Sequence, residues 1–245
     1  MQKHPFKSEE VRQELPVGGY IPQSFIDYPG LIAAVIFTVG CNFRCPYCHN
    51  PELVDPVRSG GNHQIPFHDV VRLVERNRSC LDAVVVTGGE PAMHESLPES
   101  LRTFRKLGLL VKLDTNGSYP DMIDLLLRER LVDCVALDIK APLQSRRYEE
   151  VIGIPCSGAM MKCIERSCSL LLSSGIDVVF RSTLLKGIHA SEDVDAMAAV
   201  SGNRLVLQRF RPDRTLRPLD AEAFSDAELH ALASRFNCVI CSFGL

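Results

Sequence analysis

The sequence predicts an α/β fold of parallel strands with covering helices, and three observations carry that expectation. Short apolar runs of strand length recur along the chain, segments with apolar residues at helical spacing separate them, and glycines and polar residues collect where the runs end. Six strand-and-helix units can be counted, whereas a complete barrel of this kind uses eight in about 250 residues. The alternation alone fits an open doubly wound sheet as well as an incomplete barrel. Either architecture places its ligands at the carboxyl ends of the strands.

At the N-terminus, residues 1–18 read as an arm, with order setting in over Val17, Gly18, Gly19 and Tyr20. Residues 19–245 then form one domain, with a core of about 31–212 and a last helix and strand in 213–245. The first strand, 31–38, is a nearly continuous apolar run, the pattern of a strand buried on both faces. Segment 50–64 carries Pro51, Pro56, Gly60 and Gly61 and reads as a loop. Pro66 suits the first turn of a helix over 68–78, where Val70, Leu73 and Val74 share a face. Further strands are expected at 82–87, 109–113, 133–137, 177–184 and 204–208. The helices between and after them are expected at 95–107, 120–130, 159–173, 191–200 and 226–236, before a terminal apolar piece of Cys238, Val239 and Ile240.

Composition narrows the class. No apolar run reaches membrane-spanning length, the first ten residues are polar and lack a signal-peptide core, and the net charge of -3 gives no footprint for nucleic acid. A cytoplasmic protein without membrane or nucleic-acid partners is expected. Ten cysteines in a chain of this size fit a reducing compartment, where they are metal ligands or small buried hydrophobes.

The chemistry centres on Cys41, Cys45 and Cys48, spaced CxxxCxxC directly after the first strand. Thiolates favour iron-sulfur clusters, copper(I) or zinc. A closed zinc site or an ordinary electron-transfer cluster would want a fourth ligand close by, and the next cysteine is the distant Cys80. Three corners held and one metal left open is the arrangement of a site that does chemistry. The other strand ends supply Gly88, Gly89 and Glu90, then Asp114, Thr115 and Asn116, then Asp138 and Lys140, and last Gln208 with Arg209 and Arg211. Arg181 sits inside an otherwise apolar strand and needs a partner, with Asp114, Asp138 and Glu90 as candidates. Cys134 reads as core, and Cys80, Cys156, Cys163, Cys168, Cys238 and Cys241 form no ligand pattern beyond one CxxC whose members would point to opposite faces of a strand.

CxxxCxxC with Tyr47 before its last cysteine resembles the radical S-adenosylmethionine (radical SAM) superfamily, whose fold is a partial (β/α)6 TIM-like barrel. The wider wording, SFIDYPG at 24–30 and CPYCHNP at 45–51, resembles the glycyl-radical-enzyme activases and among them the longer form that activates anaerobic ribonucleoside-triphosphate reductase. The resemblance covers roughly residues 18–212. It implies a 4Fe-4S cluster on Cys41, Cys45 and Cys48 whose open iron chelates S-adenosylmethionine. One-electron reduction would then release methionine and a 5'-deoxyadenosyl radical. It further implies that Gly88, Gly89 and Glu90 receive the amino group, that Lys140 lies near the methionine carboxylate, and that Arg181 faces the cofactor. Tyr47, His49, Asn116, Asp138 and Gln208 complete the expected cofactor contacts, and Asp114, Thr115 and Asp138 would give oxygens to a small monovalent cation. No catalytic side chain beyond the cluster ligands is expected.

The implied partners are a glycyl radical enzyme as protein substrate and a flavodoxin or ferredoxin as electron donor. A cluster of Arg209, Arg211, Arg214 and Arg217 is either a landing site for an acidic partner or a solvated face. Two rival readings remain: the same cofactor acting on a small molecule, as in 7-carboxy-7-deazaguanine synthase, and a zinc-binding protein without catalysis.

Overall fold

The computed structural model of the chain describes residues 14–55, 64–236 and 239–240. The first thirteen residues of the expected arm, Pro56, Gly60, Gly61, Cys238 and Cys241 lie outside the described residues. Strands β1 (Val17–Ser24), β2 (Ala33–Thr38), β3 (Ala83–Gly88), β4 (Leu110–Thr115), β5 (Cys134–Asp138), β6 (Asp177–Lys186) and β7 (Leu205–Arg209) lie side by side in chain order. All neighbours from β2 to β7 run parallel, as the strand and helix alternation requires, and β1 is antiparallel to β2. A two-residue strand β8 (Glu222–Ala223) pairs with the end of β6, and β9 (Val239–Ile240) adds in parallel to β7. Among the described residues β1 and β9 do not pair with each other, so the sheet is an α/β barrel that stops short of closure.

The helices are α1 (Pro51–Val54), α2 (Phe67–Arg76), α3 (Leu97–Lys106), α4 (Pro120–Arg128), α5 (Ser145–Ile152), α6 (Gly158–Leu172), α7 (Ser191–Val200) and α8 (Asp226–Phe236). Proline at the first turn of α1, α3 and α4 supplies a preset φ where no intrahelical N–H bond is lost. The alternate residues Ala34 and Ile36, Val84 and Val86, and Leu113 and Leu137 face these helices in the main core. No helix among the described residues is long and apolar enough to cross a membrane.

The opposite, inner face divides into two zones. At the amino ends of the strands, Ala33, Val35, Ala83, Val85 and Cys134 enclose the ring of Tyr28, which is carried there by the loop joining β1 to β2. Tyr28 therefore closes the bottom of the inner face. Towards the carboxyl ends the same face turns charged, as described below.

Several elements were not expected. Leu15 and Val17, within the stretch read as an arm, are buried at 1% and 0% exposure, and Val17 already pairs with Thr38. β1 has two glycines and a proline, poor strand formers, and owes its conformation to the ladder with β2. Pro51–Val54 in the stretch read as loop forms the single turn α1, which places Leu53 O to accept from Gly40 N at 2.7 Å. The connection after β5 contains α5, amphipathic through Tyr148, Val151 and Ile152 and ended by Gly153 at φ 70°.

Candidate active site

The cysteine loop leaves β2 and is fixed by its backbone. Glu90 N donates to Gly40 O at 2.8 Å, Arg44 N to Ile152 O at 2.9 Å, Cys48 N to Cys45 O at 3.0 Å, and Leu216 N to Pro46 O at 2.9 Å. Phe43 anchors it from below, buried against the edge of Tyr148 at a ring distance of 6.4 Å. All three thiols are free; Cys45 is buried and Cys41 and Cys48 partly so. Burial pushes the Cys41 thiol up to about 12 and Cys45 to about 11, and raises Cys48. Thiolates there need a bound positive charge, and a soft metal supplies it by deprotonating its ligands. The donor set therefore fits a cluster. Among the described residues no three Cys, His, Asp or Glu side chains converge on a point for a single ion; a cubane differs in that each thiolate takes its own iron.

The end of β3 is pressed against this loop. Gly88 has φ 114°, and a Cβ on Gly89 would lie 1.9 Å from Gly40 O. Only glycine permits that approach. Glu90 is 0% exposed and its carboxylate accepts from Ala92 N at 3.0 Å, Thr115 Oγ1 at 2.7 Å and Asn116 N at 2.7 Å. Burial pushes its pKa up to about 7 against the pull of these donors. Glu90 thus braces the rim from within, and the element offers a ligand its backbone. Asn116 Nδ2 donates to Asn42 Oδ1 at 2.9 Å, and Asn42 Nδ2 donates to Ser118 Oγ at 2.9 Å, which ties the rim of β4 to the cysteine loop. Asn42 and Ser118 were not singled out in the sequence.

On the inner face the charged side chains form one chain of alternating sign. Lys112 Nζ lies 2.7 Å from Asp114 Oδ1, Arg181 Nη1 3.2 Å from Asp114 Oδ2, Arg181 Nε bonds Asp138 Oδ1, and Lys140 Nζ lies 2.8 Å from Asp138 Oδ2. Burial works to raise both carboxyl pKa values, and the neighbouring cations outweigh it and hold both below the usual range. Of the three partners open to Arg181, the structure uses Asp114 and Asp138. Lys112 was missed because it sits in an apolar run, although its spacing of two from Asp114 was the signal. Thr115 Oγ1 points away from this group, to Glu90.

The remaining expected contacts flank the mouth. The buried Tyr47 hydroxyl and His49 Nε2 have no hydrogen-bond partner among the described residues, and the His49 ring stacks on Phe210 at 6.2 Å. Thr183 Oγ1 donates to Gln208 Oε1 at 3.3 Å. Within the arginine cluster, Arg209 pairs with Asp226 at 3.1 Å and Arg214 with Glu52 at 2.7 Å. Cys134 is core, as expected, and Cys168 is buried in α6.

Lys140 is positioned through its backbone. Its N–H donates to Tyr148 Oη at 3.1 Å, and its carbonyl accepts from His189 Nε2 at 2.9 Å. Since His189 Nδ1 accepts from Leu185 N at 3.1 Å, the proton of the neutral ring is on Nε2. Burial lowers the His189 pKa. The unfolded chain therefore takes up a proton that the fold resists as pH falls below about 6.5, and stability declines there. His189→Phe should cost about 1–3 kcal/mol at neutral pH through the two buried groups left unpaired. Its melting temperature should also fall less than that of the wild type between about pH 7.5 and about pH 5.5. Equal slopes in the two proteins would show that His189 carries no such linkage.

Residues 35–199 match the radical SAM superfamily. A protein of Methanocaldococcus jannaschii, provisionally named a glycyl-radical enzyme activating enzyme, is 32% identical over 200 residues, covering 80% of each chain. The pyruvate formate-lyase 1-activating enzyme of Escherichia coli K12 is 31% identical over 137 residues, 53% of each chain. Among solved structures, Streptococcus suis SuiB bound to S-adenosylmethionine superposes with a TM-score of 0.65 at 15% identity, covering 86% of this chain and 50% of that one. The three free cysteines on the loop after β2, the incomplete parallel barrel and the match over residues 35–199 lead to one conclusion: the chain belongs to the radical SAM superfamily, which uses a 4Fe-4S cluster and S-adenosylmethionine.

Proposed function

We propose that this radical SAM enzyme is a glycyl-radical-enzyme activating enzyme, and that its protein substrate is anaerobic ribonucleoside-triphosphate reductase. The observation that carries the reading is the likeness to the archaeal protein over 80% of both chains. The motifs SFIDYPG and CPYCHNP support it.

When bound, the cluster and S-adenosylmethionine supply a 5'-deoxyadenosyl radical from one electron, with release of methionine. The chain's own residues bind and orient. Cys41, Cys45 and Cys48 would hold the cluster, the backbone of Gly88 and Gly89, which no side chain covers, would meet the amino group, and the Lys140 ammonium, 15% exposed at the mouth, would meet the carboxylate. Tyr47 and His49 have the free polar atoms to complete the cofactor pocket. The hydrogen atom abstracted comes from a glycine Cα of the partner, whose flanking amides delocalise the electron left behind. A flavodoxin or ferredoxin supplies the reducing electron.

The test is anaerobic reconstitution with iron and sulfide, reduction in the presence of S-adenosylmethionine and the purified reductase, and EPR. A glycyl-radical doublet with one 5'-deoxyadenosine per radical, both lost in Cys45→Ala, is the expected result. Cleavage that needs a small molecule and leaves the reductase without a radical would overturn the reading.

A further inference from the structure

We infer that Tyr148 and His189 are positioning residues for S-adenosylmethionine: between them they fix the backbone of Lys140, and α5 locks that backbone to the loop carrying Cys41, Cys45 and Cys48. The inference rests on the Lys140 ammonium meeting the methionine carboxylate, as proposed above, and not on which partner receives the radical.

The sheet does not hold Lys140. The bond from Ile139 N to Arg181 O at 2.9 Å continues the pairing of β5 with β6, and one residue later the chain has left the ladder. Lys140 N donates instead to Tyr148 Oη at 3.1 Å, and Lys140 O accepts from His189 Nε2 at 2.9 Å. Tyr148 is 0% exposed and His189 5%, so bulk water does not compete for either bond. An ammonium on a flexible four-carbon stem reaches only where its Cα lets it. Asp138 holds the tip of that stem at 2.8 Å, and Tyr148 and His189 hold its root.

The coupling to the cysteines runs through α5. The rings of Tyr148 and Phe43 meet edge-on, Arg44 N donates to Ile152 O at 2.9 Å, and a Cβ on Gly153 would stand 2.4 Å from Arg44 O. The same helix reaches the segment of His189. Arg147 Nη2 donates to Ile188 O at 2.7 Å and to Asp193 Oδ2 at 2.7 Å, on either side of His189 in the chain. One helix of eight residues therefore fixes the cysteine loop, the Lys140 N–H and the segment that presents His189. Lys140 cannot shift relative to the cysteines without moving α5. A cofactor gripped at both places meets a frame that is already set, and the ordering is not left to the moment of binding.

The test is a double-mutant cycle on the cluster-loaded chain, read by calorimetry of S-adenosylmethionine binding with neither reductant nor partner present. Lys140→Met should weaken the Kd about tenfold or more. Tyr148→Phe keeps the ring against Phe43 and removes only the hydroxyl; it should load iron as the wild type does and weaken the Kd about fivefold. His189→Phe, which releases the Lys140 carbonyl, should act in the same direction. In the Lys140→Met background each of these two substitutions should change the Kd by less than about twofold, because its effect passes through an ammonium that is no longer there. A residue that merely supports the fold would act equally in both backgrounds. A folded single variant with wild-type affinity, or an effect of equal size with and without Lys140, would overturn the inference, and either substitution decides it if the other does not fold. Wild-type affinity in Lys140→Met would instead count against the carboxylate contact in the proposed function.

Discussion

Gly89→Ala is expected to lower S-adenosylmethionine affinity about a hundredfold or more and to destabilise the fold by about 1–3 kcal/mol. The added methyl group would stand 1.9 Å from Gly40 O and 2.6 Å from Gly40 C, backbone atoms that cannot turn aside as a flexible side chain would. Relief requires separating the end of β3 from the cysteine loop. That breaks the 2.8 Å bond from Glu90 N to Gly40 O, one residue before Cys41. The effect then reaches the cluster. Cluster loading followed by absorbance and affinity followed by calorimetry should both fall. Gly158→Ala is the control, since a Cβ there meets nothing within 4 Å. A Gly89→Ala protein that loads its cluster and binds the cofactor as the wild type does would show that the close approach is not required.

Arg181→Met is expected to be the most destabilising change on the inner face, at about 3–5 kcal/mol. The guanidinium serves two carboxylates on two neighbouring strands, Asp114 on β4 and Asp138 on β5, and its removal leaves each with one lysine. For a chain of this size that is a fall in melting temperature of roughly 10 °C. The pH dependence identifies the cause. Both carboxyls are held low in the fold, so their stabilising contribution is present above about pH 4 and is lost as pH falls below it. The gap between wild type and variant should therefore narrow in acid. A gap that stays constant to low pH would point to lost packing instead of lost charge. Arg181→Lys should recover only part of the loss, because an ammonium cannot reach both carboxylates as a planar fork does.

What could be read from the sequence followed from locality. Continuous apolar runs such as 31–38 and 82–87 became β2 and β3, buried on both faces, because a parallel strand covered on two sides admits little else. The cysteine triad was legible because three soft ligands in eight residues have few other uses. β1 was not legible, since GGY and Pro22 argue against a strand and only the distant β2 supplies its hydrogen bonds. Glu90 was named for its charge, but its role depends on Thr115 and Asn116, which the fold brings to it from the end of β4. Asn42 is invisible for the same reason: its partners Asn116 and Ser118 come from another strand end. Arg181 was open to three partners in the sequence, and only the parallel register, which sets it beside Asp138, selects among them.

The alternating charges on β4, β5 and β6 also specify how these strands pair. Lys112, Asp114, Asp138 and Arg181 share one face, so a slip of one residue in any of the three strands would turn a charge into the apolar helix layer. An unpaired charge buried there costs several kcal/mol. A slip of two keeps the face but misaligns the signs, setting Asp138 opposite Val179 or Thr183 in place of Arg181. Apolar strands rich in valine and leucine fit one another in many offsets almost equally well, and these four side chains make the wrong offsets unstable. The group that prepares the cofactor site is in this sense also the proofreading device of the sheet.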